Sequence, residues 1–194
     1  MKNQHALSRR HMLMVAPACA LTLGLTGCSP KPAARATGSA GIIEARLKTL
    51  GITLPKAPAP VATYVPYRII GQTVYIAGQG PALDSGAKVQ GTLGKDMTIE
   101  QGAHAAHLAC LNLIAQAKKA CAGDLDRIVQ WVKMGGFINS ADDFTHQPQV
   151  LNGATNLLRD IFGDKGLPAR FAVGVNTLPF NVAVEIDAIF EMRA

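Results

Sequence analysis

Leu167-Pro168-Ala169-Arg170-Phe171-Ala172-Val173-Gly174-Val175-Asn176, and after it Val182-Ala183-Val184-Glu185-Ile186-Asp187-Ala188-Ile189-Phe190, is the stretch whose reading decides the fold. In an extended chain alternate residues share a face. In the second segment residues 182, 184, 186, 188 and 190 are all apolar and form one face, leaving Ala183, Glu185, Asp187 and Ile189 on the other. In the first, Arg170, Ala172, Gly174 and Asn176 lie opposite Phe171, Val173 and Val175. Both read as strands, and the turn around Leu178-Pro179 predicts a closing hairpin. If that turn pairs Val175 with Val182, Arg170 falls opposite Asp187 and Ala172 opposite Glu185. One guanidinium and two carboxylates then converge on a face of small residues, which is either a pocket or a structural salt bridge.

Working outward, Pro148 to Phe162 has helical spacing with Pro148 in its first turn. Ile128 to Ile138 reads as a strand interrupted by Gly135-Gly136. Thr98 to Ala120 reads as a long helix, with Thr98 as its cap and Ile99, Ala103, Ala106, Cys110, Leu113 and Ala117 on its apolar stripe. Gly78 to Gly94 reads as a long loop. Before it, Tyr67 to Ile70 and Thr73 to Ala77 flank Gly71-Gln72 as a hairpin. Pro55, Pro58, Pro60 and Pro66 mark a connector that no helix interior would accept. Ile42 to Leu50 reads as a short helix ending at Gly51.

The order is β-β-α-β-α-β-β behind a short helix. Hairpins at both ends with helices between strands predict a mixed sheet and an α+β class. Two main helices of this length cover one face of such a sheet, so the other face is expected to find a partner in an oligomer.

Residues 1–27 read as an export signal. Lys2, Arg9 and Arg10 precede an apolar stretch from Met12 to Leu25, and no acidic residue stands before Glu44. The stretch is too short, and too interrupted by Pro17, for the ~20 residues that span a bilayer. Ser8-Arg9-Arg10-His11-Met12-Leu13-Met14 resembles a twin-arginine signal, and Leu25-Thr26-Gly27-Cys28 resembles a bacterial lipobox. The resemblance implies cleavage before Cys28, lipidation of its thiol and attachment to a membrane on the cell-envelope or periplasmic side. Residues 28–40 are small and Pro-containing and read as a tether, which leaves 41–194 as one domain.

The formal charge of +6 overstates the basicity of the mature chain. Without Lys2, Arg9 and Arg10 there remain 16 basic residues against 13 acidic, a net +3, which gives no reason to expect a nucleic-acid partner. Cys110 and Cys121 sit ~16 Å apart if they share one helix, beyond disulfide reach, and read as packed or exposed free thiols. His104 and His107 stand three apart on that helix without a third ligand at recognisable spacing, so no metal is expected. No cofactor is expected either. Gly78-Gln79-Gly80 leads into Pro81 and not a helix, and Gly94-Lys95-Asp96 lacks the upstream glycine and the Ser/Thr of a phosphate loop.

Leu167-Pro168-Ala169-Arg170, the small-residue strand after it and Val184-Glu185-Ile186-Asp187-Ala188-Ile189 resemble the signature of the Rid/YjgF family of reactive-intermediate deaminases. Tyr75 to Pro81, Val132 to Asn139 and Phe144 to Phe162 extend the resemblance, and Gly51-Ile52-Thr53-Leu54-Pro55 looks like the opening of the family's longer branch. The family implies a chorismate-mutase-like fold, homotrimers with clefts between subunits, and hydrolysis of 2-imino or enamine acids to 2-oxo acids and ammonia. Carried over, Arg170 matches the arginine that grips the substrate carboxylate, a task for which a planar two-donor fork is suited. Glu185 matches the glutamate associated with the attacking water. Tyr67, Gly78 and Asn152 match positions that line the cleft. Ala172 stands where many members have Cys, and the segment from Asn152 to Arg170 is one residue longer than usual.

Three function classes follow: an imine or enamine hydrolase, a non-catalytic trimeric lipoprotein that binds small carboxylates through Arg170, and an RNA-cleaving protein. Near-neutral mature charge, scarce aromatics and an address outside the cytoplasm count against the third.

Overall fold

The computed structural model describes residues 41–194. The expected signal at 1–27, the expected tether at 28–40 and the expected lipidation of Cys28 all fall outside the described residues. Helix α1 spans Ile42–Thr49, strands β1 and β2 span Tyr67–Ile70 and Thr73–Gln79, and helix α2 spans Ile99–Ala120. Strand β3 (Ile128–Asn139), helix α3 (Gln147–Phe162) and strands β4 (Ala169–Val175) and β5 (Val184–Met192) complete the order, which matches the α+β sequence of elements. No helix among the described residues is long and apolar enough to cross a membrane.

Local chemistry explains the helix ends. The Thr98 hydroxyl accepts from the Gln101 amide, and the Gln101 side chain accepts from the Thr98 amide, so two orphan donors of α2 are satisfied reciprocally. Lys118 and Lys119 occupy its last turn, where the helix dipole favours cations. Pro148 opens α3 with a residue that needs no amide partner there.

The sheet order is β1-β2-β5-β3-β4. The first hairpin is as expected, with Gly71 at φ 60 in its turn. The closing hairpin is not formed. β4 lies parallel to β3, pairing Arg170 with Met134 and Ala172 with Gly136, while β5 is inserted antiparallel between β2 and β3. The reason lies in residues 176–183. Phe180 and Asn181 take left-handed backbone angles, and Ala183 exchanges backbone bonds with Val89 and Asn139. The chain is thereby led past β3 and not folded back onto β4. The strand faces were read correctly but their pairing was not. Arg170 shares the face of Met134 and Ala188, whereas Glu185 and Asp187 point to the opposite face.

Helices α2 and α3 pack on the first of these faces, α2 over β2 and β5 and α3 over β3 and β4. Between them and the sheet lie Val74, Ile76, Leu113, Ile114, Trp131, Met134, Leu151, Leu158, Ile186 and Phe190, all buried. Cys110 and Cys121 are buried free thiols. The other face carries no helix and leaves Tyr75, Val132, Phe171 and Val173 exposed.

Gly135-Gly136 does not interrupt β3, which runs unbroken through both. They are gaps for neighbours: a Cβ on Gly135 would lie 2.3 Å from Asp187 Oδ1, and one on Gly136 would lie 2.6 Å from Leu151 of α3. The closest approach is between the helices, where a Cβ on Gly153 would lie 1.9 Å from the backbone oxygen of Ala103. Backbone cannot step aside as a side-chain tip can. Gly153→Ala gains ~1 kcal/mol of helix propensity yet is expected to destabilise the fold by about 2 kcal/mol or more through overpacking. Chemical denaturation checks this; a variant as stable as the parent would contradict the contact.

Candidate functional site

Arg170 sits on the edge strand β4 with its guanidinium turned toward α3. Its Nη1 donates to Thr155 Oγ1 at 2.8 Å, and its Nη2 to Asn152 Oδ1 at 2.8 Å and to the Pro148 carbonyl at 3.3 Å. Asn152 and Thr155 stand three apart on α3 and so present both oxygens on one helix face. All three acceptors are neutral, and no carboxylate lies within salt-bridge distance of Arg170 among the described residues. The salt bridge to Asp187 is therefore absent. What remains is an exposed cation held in a fixed pose by neutral groups, with partial desolvation drawing its pKa down. Such a group is prepared for an incoming anion.

Glu185 stands on the helix-free face of β5, half-buried. Burial, and secondarily the neighbouring Asp187 carboxylate, push its pKa up from the usual carboxylate range. Its carboxylate lies directly over Gly78, where a Cβ would be 2.0 Å from Glu185 Oε1. A β-bulge makes this possible. Ile76 pairs with Ala188 and Gln79 with Ile186, so that Ala77 and Gly78 together face the single residue Asp187. The buried Gln79 amide pins the bulge by donating to the carbonyls of Ala77 and Gly78 at 3.1 and 2.9 Å. Asn112 of α2 fixes the departing loop through a 2.9 Å bond to the Gly80 carbonyl. Asp187 is committed elsewhere, accepting from the Gly135 amide at 2.9 Å.

The sequence-read residues thus fall into two groups within one chain. Asn152 joins Arg170, and Gly78 joins Glu185, on opposite faces of the sheet with β3 between them. Tyr67 joins neither: it pairs with Ile76 and packs against the core. Thr155, Gln79 and Asn112 were missed. Thr155 carried a usable signal in its i+3 relation to Asn152, whereas the other two act through contacts that no local pattern reports. His104 and His107 stack with ring centroids 6.2 Å apart, and among the described residues no group of three or more His, Cys, Asp or Glu could hold a metal.

A carboxyl pKa raised by the fold means that the fold disfavours the ionised form relative to the unfolded chain. Ionisation then costs stability as pH rises through the folded value, and the cost vanishes below the unfolded one. Glu185→Gln, permanently neutral, is expected to melt higher than the parent near pH ~8 and together with it near pH ~4. Thermal melts across that range check this, and a lower melting temperature at the alkaline end would mean that a cation holds the carboxylate.

The sequence profile described as "YjgF/chorismate mutase-like, putative endoribonuclease" matches residues 44–191. Over 156 residues the chain is 43% identical to Protein TCP17 of Trypanosoma cruzi, spanning 80% of this chain and 97% of that protein. It is 30% identical over 141 residues to the 2-iminobutanoate/2-iminopropanoate deaminase of Dermatophagoides farinae, covering 71% of this chain and 92% of the relative. Among solved structures, Atu1372 of Agrobacterium tumefaciens, a protein of unknown function, superposes with a TM-score of 0.71 at 43% identity, over 78% of this chain and 94% of the other. A profile match that takes in the first helix, every strand and both site groups leaves one assignment: the chain belongs to the YjgF/chorismate mutase-like (Rid) family.

Proposed function

We propose that the protein hydrolyses reactive 2-imino acids to 2-oxo acids and ammonia in a cleft between copies of the chain, assembled as a trimer. The observation that carries this reading is the state of Arg170, an exposed guanidinium oriented by Asn152 and Thr155 and left without a counter-ion among the described residues. Its two-donor fork suits a carboxylate. The deaminase relative supports the choice of chemistry.

In this reading Arg170 of one copy holds the substrate carboxylate, and Glu185 of a neighbour faces the imine carbon. Two strand spacings of ~4.8 Å and opposite faces of the sheet keep the two groups of one chain apart. The apolar, helix-free face supplies the surface on which copies would meet. Glu185 accepts a proton from water as its oxygen bonds to the imine carbon, a step aided by the carboxyl's raised pKa. The proton is then returned to the nitrogen; as the C–N bond breaks, Glu185 takes the proton of the new hydroxyl and passes it to the departing ammonia, so that the protonated imine plus water become the 2-oxo acid plus ammonium.

Arg170→Lys keeps the charge and loses the fork. Turnover of imines generated in situ by an amino-acid oxidase should fall roughly 30-fold to 1000-fold, with little change in melting temperature. Glu185→Gln should lower turnover while leaving 2-oxo acid binding intact. Mixing Arg170→Ala and Glu185→Gln chains in equal amounts should restore about a quarter of the sites, because a quarter of random interfaces pair an intact arginine with an intact glutamate. No restoration would place both groups' work in one copy. Carboxylate binding without ammonia release from any imine would favour the binding-protein reading.

We further propose that residues 1–27 direct export and that Cys28 carries the lipid that holds the domain at a membrane. Cys28→Ala should leave the membrane fraction; a variant that stays membrane-bound would refute the lipobox.

A further inference from the structure

Beside Glu185 opens a cavity of about 1320 Å³. Its outer walls are the proline-rich connector between α1 and β1, the loop that leaves β2, and the 179–182 turn that precedes β5; Arg68 of β1, the β2 bulge, Asn112 and Gln116 of α2 and Glu185 complete the lining. That volume exceeds the ~300–1,000 Å³ usual for small-molecule pockets, and it is far larger than a carboxylate and an imine need.

The lining is unusual in what it exposes. Val61, Tyr64 and Val65 of the connector, Leu83 of the loop and Phe180 of the turn are all large apolar side chains left open to solvent, and all five line this one cavity. Neither the helix layer nor the helix-free face of the sheet accounts for them. Phe180 is the most telling. Its ring is 61% exposed although its backbone sits at φ 57, a left-handed angle that a bulky residue adopts only under constraint. The constraint is visible. Gln90 Nε2 donates to the Phe180 carbonyl at 2.7 Å, Gly91 N donates to the Asn181 carbonyl at 2.9 Å, and Asn139 Nδ2 donates to Asn181 Oδ1 at 3.1 Å. The connector is held over the cavity by Gln116 of α2, whose Nε2 donates to the Pro58 carbonyl at 2.7 Å. Fixed backbone thus presents an aromatic side chain to the cavity that Glu185 also lines.

A 2-imino carbon bears three groups. In the reading above, which this inference rests on, the carboxylate goes to Arg170 and the C=N bond faces Glu185 and its water. The third group, the side chain, must leave the reacting carbon on the remaining side. We propose that it enters this cavity, and that Phe180, Tyr64, Val61, Val65 and Leu83 select substrates with a large apolar side chain, of leucine, methionine or phenylalanine size, over those with a methyl or ethyl group. Phe180 is the specificity-determining residue, and the left-handed turn exists to present it.

The test uses Phe180→Gly, because glycine adopts a positive φ freely and the variant should fold at least as well as the parent. Two readouts are needed. The first is kcat/KM for imines generated from leucine and phenylalanine relative to alanine. The second is the affinity of 4-methyl-2-oxopentanoate and phenylpyruvate relative to pyruvate, by calorimetry. The parent is expected to prefer the larger member of each set by about tenfold or more. Phe180→Gly should bring both ratios toward unity, and Ala82→Trp, which places a ring inside the same cavity, should invert them. Equal handling of small and large side chains by the parent would overturn the inference. So would a Phe180→Gly protein that keeps the parent's ratios, or one whose oligomer dissociates while they persist, since the ring would then be an intersubunit contact. If no imine is turned over but the affinity ratios behave as described, the pocket stands and the hydrolase reading falls.

Discussion

The backbone contact between α2 and α3 at Ala103 and Gly153 is the constraint from which the rest of the architecture is set. With no side chain at Gly153, the two helices close to the point where a single added carbon would strike a carbonyl oxygen. That closeness seats α3 on β3 and β4, where Leu151 reaches the space above Gly136. It also fixes Asn152, the residue before Gly153, and through it the pose of Arg170. The contact is one of backbone against backbone, yet the orientation of the Arg170 guanidinium is inherited from it through Asn152. A position of this kind serves function by way of packing alone.

Much of the fold was legible because the signals were local. Thr98 as a cap, the apolar stripe along α2, Gly71 in the first hairpin and the alternation through 182–190 each act over a few residues, and each element formed within about two residues of where its pattern said. Strand pairing is not local. Leu178-Pro179 looks like a hairpin turn, but whether β5 returns to β4 or passes to the centre is decided by distant partners, Val89 and Asn139, and by left-handed angles at Phe180 and Asn181 that residue type does not announce. Gly135-Gly136 was misread for a related reason: a glycine pair signals a break when its neighbours are unknown, and a space for Asp187 and Leu151 once they are known.

The site divides along the same line. Arg170 and Glu185 were singled out as candidates from residue type, strand phase and family resemblance, but their supposed meeting rested on the hairpin and fell with it. Asn152 lies beside Arg170 and accepts a hydrogen bond from it. Tyr67 was not gathered into either group of this chain. Gln79, which holds the bulge that lets Glu185 lie over Gly78, stood within the Tyr75–Pro81 motif, but its role depends on a bulge that only the pairing with β5 creates.

The placement of β5 also sets an order of events. β2 and β3 do not pair with each other; each pairs with β5, which comes last in the chain. Until that strand is available, the β1-β2 hairpin and the β3-α3-β4 unit share no hydrogen bond within the sheet, and they are linked through α2 and through the backbone bonds of Leu93 to Asn139 and Ala141. Nucleation of the whole sheet therefore has to bridge long separations in sequence, which slows folding and leaves apolar strand edges open in the meantime. Closure of the sheet therefore waits for β5 and is a late, nearly single step and not a progressive one.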